Sequence, residues 1–373
     1  MLAECAIGGT KVFRIALGMS KIGTIEHHSK AHIEDRLGVL SKLSSLGKVF
    51  VDTSPIYGGG FSETVTGAVI RQSREKFFVA SKYYPLDNHK KNDLLESVRG
   101  SLARLGVSHL DLLQLHWPNP LANIYEILED VNILISEGLI NGFGVCNFTQ
   151  REIVDLAEGV PGLHVISNQI ELHPGNLQEL DKGKFDDSHL TLAYGAILQG
   201  RVTYSKAQHQ AISNYAENYN LKPIAVGIAL LLMQKRSVMP IIKVSSSKHL
   251  DEILQVFEAD LDINTLYKLG STFQNNPTYV NPEKIELIGD GYRQPYLSLD
   301  EALINPLDLF PSPVSMASRI LKYDLVLPIK VQLGTSGALT IDSYDPFDQI
   351  KKYWAWRIAY PGKDIPINIC EVS

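Results

Sequence analysis

Cysteine is scarce in this chain. Cys5, Cys146 and Cys370 lie far apart and show neither metal-ligand nor disulfide spacing, which fits a reducing, cytoplasmic setting and gives no reason to expect a metal. Long basic runs are missing too, and a formal net charge of −6 leaves no electrostatic footprint for nucleic acid. No apolar run reaches the roughly 18–20 residues of a membrane span. The opening MLAECAIGG has neither the charged start nor the apolar core of a signal peptide. The expectation is a soluble intracellular protein with no nucleic-acid or membrane partner.

What the chain does have is alternation. Its 373 residues leave room for one large domain and a smaller one. Short β-branched runs alternate with longer amphipathic ones through most of the length. VFRIALG (Val12 to Gly18) reads as a first strand, and Ile33 to Gly47 as a helix ended by glycine. Further strands are predicted from Val49, Phe77, Leu110, Ile140, Val165, Leu190 and Val238. Between two of them, Leu94, Leu95, Val98, Leu102 and Leu105 fall at helical spacing. Eight βα alternations in about 270 residues match an α/β protein of the (β/α)8 TIM-barrel type better than an open sheet.

The stretch VFVDTSPIYGGG, Val49 to Gly60, organises the rest. A strand-like run ends in Asp52, and Tyr57 follows in a glycine-rich loop. Lys82 ends the next strand, FFVASK, and His116 ends the one after it, LDLLQLH. In such barrels chemistry gathers at the C-terminal ends of the strands. Taken singly, Asp52 is an ordinary turn residue, Lys82 a solvated charge and His116 a satisfied loop histidine. Their coincidence at three consecutive strand ends points to a site. A phenol with a pKa near 10 becomes a usable acid when an ammonium favours the phenolate left behind. Tyr57 is therefore read as a proton donor, Lys82 as the charge that eases its ionisation and Asp52 as the partner that offsets the cost of burying Lys82.

Several blocks in order carry a family resemblance over roughly Val12 to Phe257. DTSPIYGGGFSE, the SK that ends the lysine strand, SLARLGVSHLDLLQLHWP, EGLINGFGVCNFT and NQIELHP together resemble the aldo-keto reductases. The resemblance implies hydride transfer to an aldehyde or ketone, including sugars and biosynthetic intermediates, with His116 hydrogen-bonded to the carbonyl oxygen. None of the four side chains can supply a hydride, so a cofactor is needed. The family uses an extended nicotinamide dinucleotide without the glycine-rich GxGxxG turn, and none follows the first strand here. By position, Asn147 and Gln169 would hold the carboxamide and Tyr194 would stack on the ring. Lys243, with Ser245 and Ser246, would meet the 2′-phosphate of NADP. His249 stands where an arginine is common and Ile253 where an asparagine usually contacts adenine, which keeps NAD as the alternative. Cys146 replaces a family serine. Trp117, Tyr83 and Tyr84 are candidates for the walls of a substrate pocket.

A barrel would occupy residues 1–274. NNPTYVNPEKIELIGDG reads as a linker near residue 275, and residues 275–373 as a small α+β module. The predicted elements are a short helix or turn at EALINPLDLF, helices at PVSMASRILKYD and FDQIKKYWAWRIAYPG, and strands at VLPIKVQ, ALTIDSYD and IPINICEV. Over about 60 residues this order resembles the ParB/sulfiredoxin-like domain. DSYDPFDQ stands in place of that family's Gly-Glu-Arg-Arg box, so no nucleotide-binding role carries over. YWAWR, Tyr353 to Arg357, is expected to bury Trp354 or Trp356 in the module's own core, the alternative being a contact with the barrel mouth or a protein partner. Beside the reductase stands a second functional reading, a cofactor-sensing regulator or scaffold acting through this module.

Overall fold

Short, wholly apolar strands suit a parallel sheet covered on both faces. A computed structural model describes residues 3–20, 30–86, 89–159, 162–180, 189–196, 206–234, 238–244, 246–272, 278–280, 285–286, 313–323, 325–333, 339–341 and 346–370. It opens with an antiparallel hairpin, β1 (Glu4–Ile7) and β2 (Thr10–Phe13), turned at Gly8 and Gly9. Eight parallel strands then close into a barrel. They are β3 (Ala16–Gly18), β4 (Val49–Asp52), β5 (Phe77–Tyr83), β6 (Leu112–Leu115), β7 (Phe143–Cys146), β8 (Val165–Glu171), β9 (Leu190–Tyr194) and β10 (Val238–Ile242), with β10 returning to β3. The eight strands expected from the sequence are all present. The first is divided, however: Val12 and Phe13 belong to the hairpin, and only Ala16–Gly18 enters the barrel.

Strand alternation sorts the side chains. Phe50, Phe78, Leu112, Leu192 and Met239 fill the interior together with Ile7 and Val12 of the hairpin, which plugs that end of the barrel. Val49, Val51, Val79, Leu113 and Val145 face outward and pack beneath the helices. The same parity aims Asp52, Lys82 and Gln114 inward.

The surrounding helices are α1 (Lys30–Ser44), α2 (Phe61–Ile70), α3 (Asp93–Leu105), α4 (Ile124–Ser136), α5 (Gln150–Gly159), α6 (Lys206–Asn218), α7 (Pro223–Leu232), α8 (Ser247–Leu254) and α9 (Ile263–Ser271). Their ends carry familiar signals: Asn123, Ser246 and Asp262 cap α4, α8 and α9, and Pro223 starts α7. None of the described helices is long and apolar enough to cross a membrane.

Residues 278–370 contribute a five-stranded sheet in the order β11-β15-β13-β14-β12. These are β11 (Thr278–Val280), β12 (Ile285–Glu286), β13 (Ile329–Leu333), β14 (Leu339–Ile341) and β15 (Ile365–Cys370), with helices α10 (Pro313–Tyr323) and α11 (Pro346–Ala359). Met316, Ile320, Ile329, Val331, Tyr353, Trp356 and Ile365 form a core of their own. Trp356 is buried there and donates from its indole nitrogen to the Leu327 carbonyl at 3.1 Å. Two short stretches of the segment read as a linker, Thr278–Val280 and Ile285–Glu286, are the edge strands of this sheet. EALINPLDLF lies outside the described residues.

Helix α2 packs against the end of α3 at Gly67, where an added Cβ would run into the Leu105 carbonyl. Gly67→Ala is expected to cost about 1–3 kcal/mol by overpacking. Gly38→Ala, on the exposed face of α1 with open space around it, is expected to stabilise by roughly 0.5–1 kcal/mol. Denaturant midpoints of the two variants moving in the same direction would contradict this.

Candidate active site

A buried lysine needs acceptors for all three of its protons, and at the end of β5 it finds three. Lys82 Nζ lies 2.7 Å from Asp52 Oδ1, donates to the Thr53 carbonyl at 2.9 Å and donates to the Tyr57 hydroxyl at 3.1 Å. Burial opposes its charge, but Asp52 and Tyr57 outweigh that and raise its pKa above the ordinary lysine value. Asp52 also accepts from Gln169 Nε2 at 2.8 Å and more distantly from Gln114 Nε2 at 3.4 Å.

Tyr57 reaches the mouth through a single tight turn, Tyr57–Gly60. Gly58, Gly59 and Gly60 have φ of 58°, 61° and 91°, a run of left-handed backbone that side chains would strain. At Gly60 a Cβ would also meet the Arg104 side chain. Arg104 is held by Glu63, which is fully buried and accepts from Arg104 Nε at 2.7 Å and from Ser81 Oγ at 2.6 Å. Glu63 thus ties α2 to both α3 and β5, and so fixes the start of the helix that the glycine turn leads into.

Burial pushes the Tyr57 phenol up to about 12, with the Lys82 charge pulling against it. His116 sits edge-on to Tyr57 with ring centroids 5.8 Å apart. Its Nδ1 faces Ser54 Oγ at 3.5 Å, and no described residue bonds its Nε2. Burial first, and then the Lys82 charge, hold His116 well below the usual histidine range, so the ring is neutral. Because Lys82 donates to the phenol oxygen, the phenol's own proton points away from Lys82. The mouth therefore holds one neutral acid, one neutral imidazole and a cation behind them.

Asn147 follows β7 with a φ of 63°. Its backbone N–H donates to Gln169 at 2.8 Å, its Nδ2 to the His116 carbonyl at 3.3 Å, and its Oδ1 accepts from the Tyr194 hydroxyl at 3.0 Å. Asn147, Gln169 and Tyr194 thus gather beside the tetrad. Among the described residues Gln169 Oε1 makes no hydrogen bond, while its amide nitrogen is taken by Asp52 and Gln114. Two side-chain amides and a phenol ring have the donor and acceptor chemistry to meet a nicotinamide. Gln114 was not anticipated. It lies two residues before His116, so alternation puts both inside, and its Oε1 receives the buried Cys146 Sγ at 3.7 Å. Burial raises the Cys146 pKa strongly, which keeps it a thiol.

Lys243 lies half-buried just after β10. Ser246 caps α8 by accepting from the His249 N–H at 3.3 Å, and the His249 side chain is exposed in the first turn. Ser245 lies outside the described residues. Trp117 packs partly on the core of the C-terminal unit, and Tyr84 is buried. Tyr83 is a correction: it does not wall the mouth. It follows Lys82 directly, so the strand turns it outward among the helices, where its hydroxyl lies 2.6 Å from His89 Nδ1. Among the described residues no cluster of three or more His, Cys, Asp or Glu could hold a metal ion.

Residues 14–271 match the model of the Aldo/keto reductase family. The chain is 33% identical to the aldo-keto reductase YhdN of Bacillus subtilis over 211 residues, which take in 52% of this chain and 61% of that protein. It is 28% identical to the methylglyoxal reductase DkgB of Salmonella typhi over 250 residues, 64% of this chain and 87% of that one. A crystal structure of an aldo/keto reductase from Klebsiella pneumoniae, in complex with NADP and acetate, superposes with a TM-score of 0.65 at 24% identity, covering 74% of this chain and 98% of its own, a likeness of fold.

The Asp52–Lys82 pair can be tested by its cost when broken. Asp52→Asn, which leaves the buried ammonium without its counter-charge, is expected to lose about 3–5 kcal/mol of stability. Adding Lys82→Met should return a large part of that loss. Additive losses in the double variant, measured by denaturant unfolding, would refute the coupling.

Proposed function

Since the chain belongs to the aldo/keto reductase family, we propose that it reduces a small aldehyde or ketone with NADPH, Tyr57 delivering the proton to the carbonyl oxygen. The observation that carries this reading is the continuous hydrogen-bonded chain Asp52–Lys82–Tyr57 with neutral His116 beside the phenol. The bound cofactor supplies the hydride that reaches the carbonyl carbon. The chain's own residues manage the charge that develops on oxygen. His116 donates from Nε2 to the carbonyl oxygen and sets its angle. Tyr57 gives up its proton to the same oxygen, and the phenolate that remains is stabilised by Lys82, which Asp52 keeps charged and aimed. Solvent then reprotonates Tyr57 from the open side of the mouth.

Asn147 and Gln169 hold the nicotinamide carboxamide in this reading, and Tyr194 lies against the ring. Lys243, with Ser246 at the start of α8, meets the adenosine phosphate, a cation and a helix N-terminus suiting an anion. NADP is favoured over NAD by Lys243, and the exposed His249 contributes less there than a guanidinium would. The methylglyoxal reductase among the relatives makes a small dicarbonyl the first substrate to try. Residues 1–274 carry this chemistry, with 275–373 as an attached unit that shapes it.

Tyr57→Phe is expected to lower turnover about 100- to 10,000-fold while NADPH still binds, followed by the absorbance of the reduced cofactor against a panel of aldehydes, ketones and sugars. Retained turnover would sink the assignment. The pH dependence has a definite sign. Tyr57 and Lys82 both hold their protons well above neutrality and His116 is already neutral. The kcat for reduction should therefore be level from about pH 6 to 9 and fall only at higher pH. A descending limb centred near neutrality would contradict it.

A further inference from the structure

The C-terminal unit touches the barrel at the rim that carries the site. Helix α10 lies against the loops that follow β6 and β7, the strands that lead to His116 and Asn147. Ser315 Oγ donates to Asn119 Oδ1 at 3.1 Å, and Asn119 in turn donates to the Pro85 carbonyl at 2.9 Å. Arg319 and Tyr323, four residues apart on one face of α10, meet Glu152 and Asp155, three apart on one face of α5.

Arg319 is the centre of this contact. Its Nε donates to Glu152 Oε1 at 2.8 Å and its Nη2 to Glu152 Oε2 at 3.0 Å, a two-point fork with both side chains buried. The same Nη2 donates to the backbone carbonyl of Asn147 at 2.7 Å. Glu152 is itself a capping residue: its Oε2 accepts from the Thr149 N–H at 2.8 Å and from Thr149 Oγ1 at 3.0 Å. The turn from Asn147 to Thr149 is therefore held at both ends by one ion pair.

Asn147 is held on two sides. Its φ of 63° lies in the left-handed region, which asparagine tolerates better than other residues with a side chain. Gln169 fixes its N–H from inside the barrel, and Arg319 fixes its carbonyl from outside. A buried ion pair is a poor source of net stability, because desolvation takes back most of the Coulombic gain. Its geometry is what it offers.

We propose that Arg319, brought in by the C-terminal unit, is a positioning residue of the reductase site that locks the turn after β7 and so aims the Asn147 side chain at the cofactor. The proposal rests on the reading of Asn147 as a nicotinamide contact. It makes residues 313–323 a working part of the barrel's mouth rather than an appended binding module, and it explains why an arginine far along the chain is buried against this turn.

The test uses the full chain, with NADPH as the probe. Arg319→Met is expected to weaken NADPH binding, followed by quenching of protein fluorescence, and to lower kcat/KM about 10- to 100-fold on the aldehyde that the wild type turns over best. Arg319→Lys, which keeps the charge but loses the fork, should recover only part of this. In an Asn147→Ala background the loss of Arg319 should cost kcat/KM nothing further; additive losses would reveal a general structural effect and overturn the proposal. Should Arg319→Met fail to fold, Glu152→Gln goes through the same cycle and additivity there overturns it equally. If Asn147→Ala alone leaves NADPH affinity and turnover intact, the underlying cofactor contact is wrong and the proposal goes with it. If Asn147→Ala is impaired while Arg319→Met is not, the cofactor contact stands and the clamp falls.

Discussion

The burial of one ammonium group governs the layout of this protein. Lys82 stands inside the barrel with its side chain fully enclosed, and such a charge survives only where each of its protons finds an acceptor and a carboxylate stands close. Asp52, the Thr53 carbonyl and the Tyr57 hydroxyl meet that requirement together. The end of β4, the end of β5 and the turn beyond β4 therefore have to be where they are. Gln114 and Gln169 extend the same network across the interior to β6 and β8.

From that constraint the electrostatics of the mouth follow. Burial first and the ammonium second lower the affinity of His116 for a second proton, and the ammonium opposes the rise in the Tyr57 pKa that burial alone would cause. A neutral imidazole and a protonated phenol are the forms that can both donate to an oxygen gaining charge. The supporting structure is mostly polar and buried. Glu63 with Arg104 fixes the helix start beyond the glycine turn, and Glu152 with Arg319 stiffens the turn after β7. Two carboxylate–guanidinium pairs thus flank the site, one within the barrel's own helices with Arg104 half-buried, and one fully buried that reaches it from the C-terminal unit.

Much of this was legible in the chain. Periodicity located all eight barrel strands, and the strand ends at Asp52, Lys82 and His116 marked a candidate site because a closed parallel barrel brings such ends together. Where the reading slipped, the cause was physical. Val12 and Phe13 have strand character whichever sheet they join, so pattern alone could not separate the hairpin from β3. Tyr83 resembles a pocket aromatic in sequence, yet its parity relative to Lys82 sends it to the helix side. Asn and Pro around Tyr279 suggested a linker, whereas the three residues Thr278–Val280 between them pair with β15 as an edge strand. Gln114 could have been found by counting two back from His116.

The sequence by itself determined the local structure, the alternation that sets which side chains face inward, and which titratable residues stand at the strand ends, because each depends on residue type and spacing along one stretch. Only the tertiary structure decided the long-range pairings. Gln169 on Asp52 spans 117 positions and Arg319 on Asn147 spans 172. Neither leaves a periodic or local signal, since such contacts arise from how separate elements pack. That Arg319 is a buried clamp rather than one of many surface arginines is visible only once α10 lies against α5.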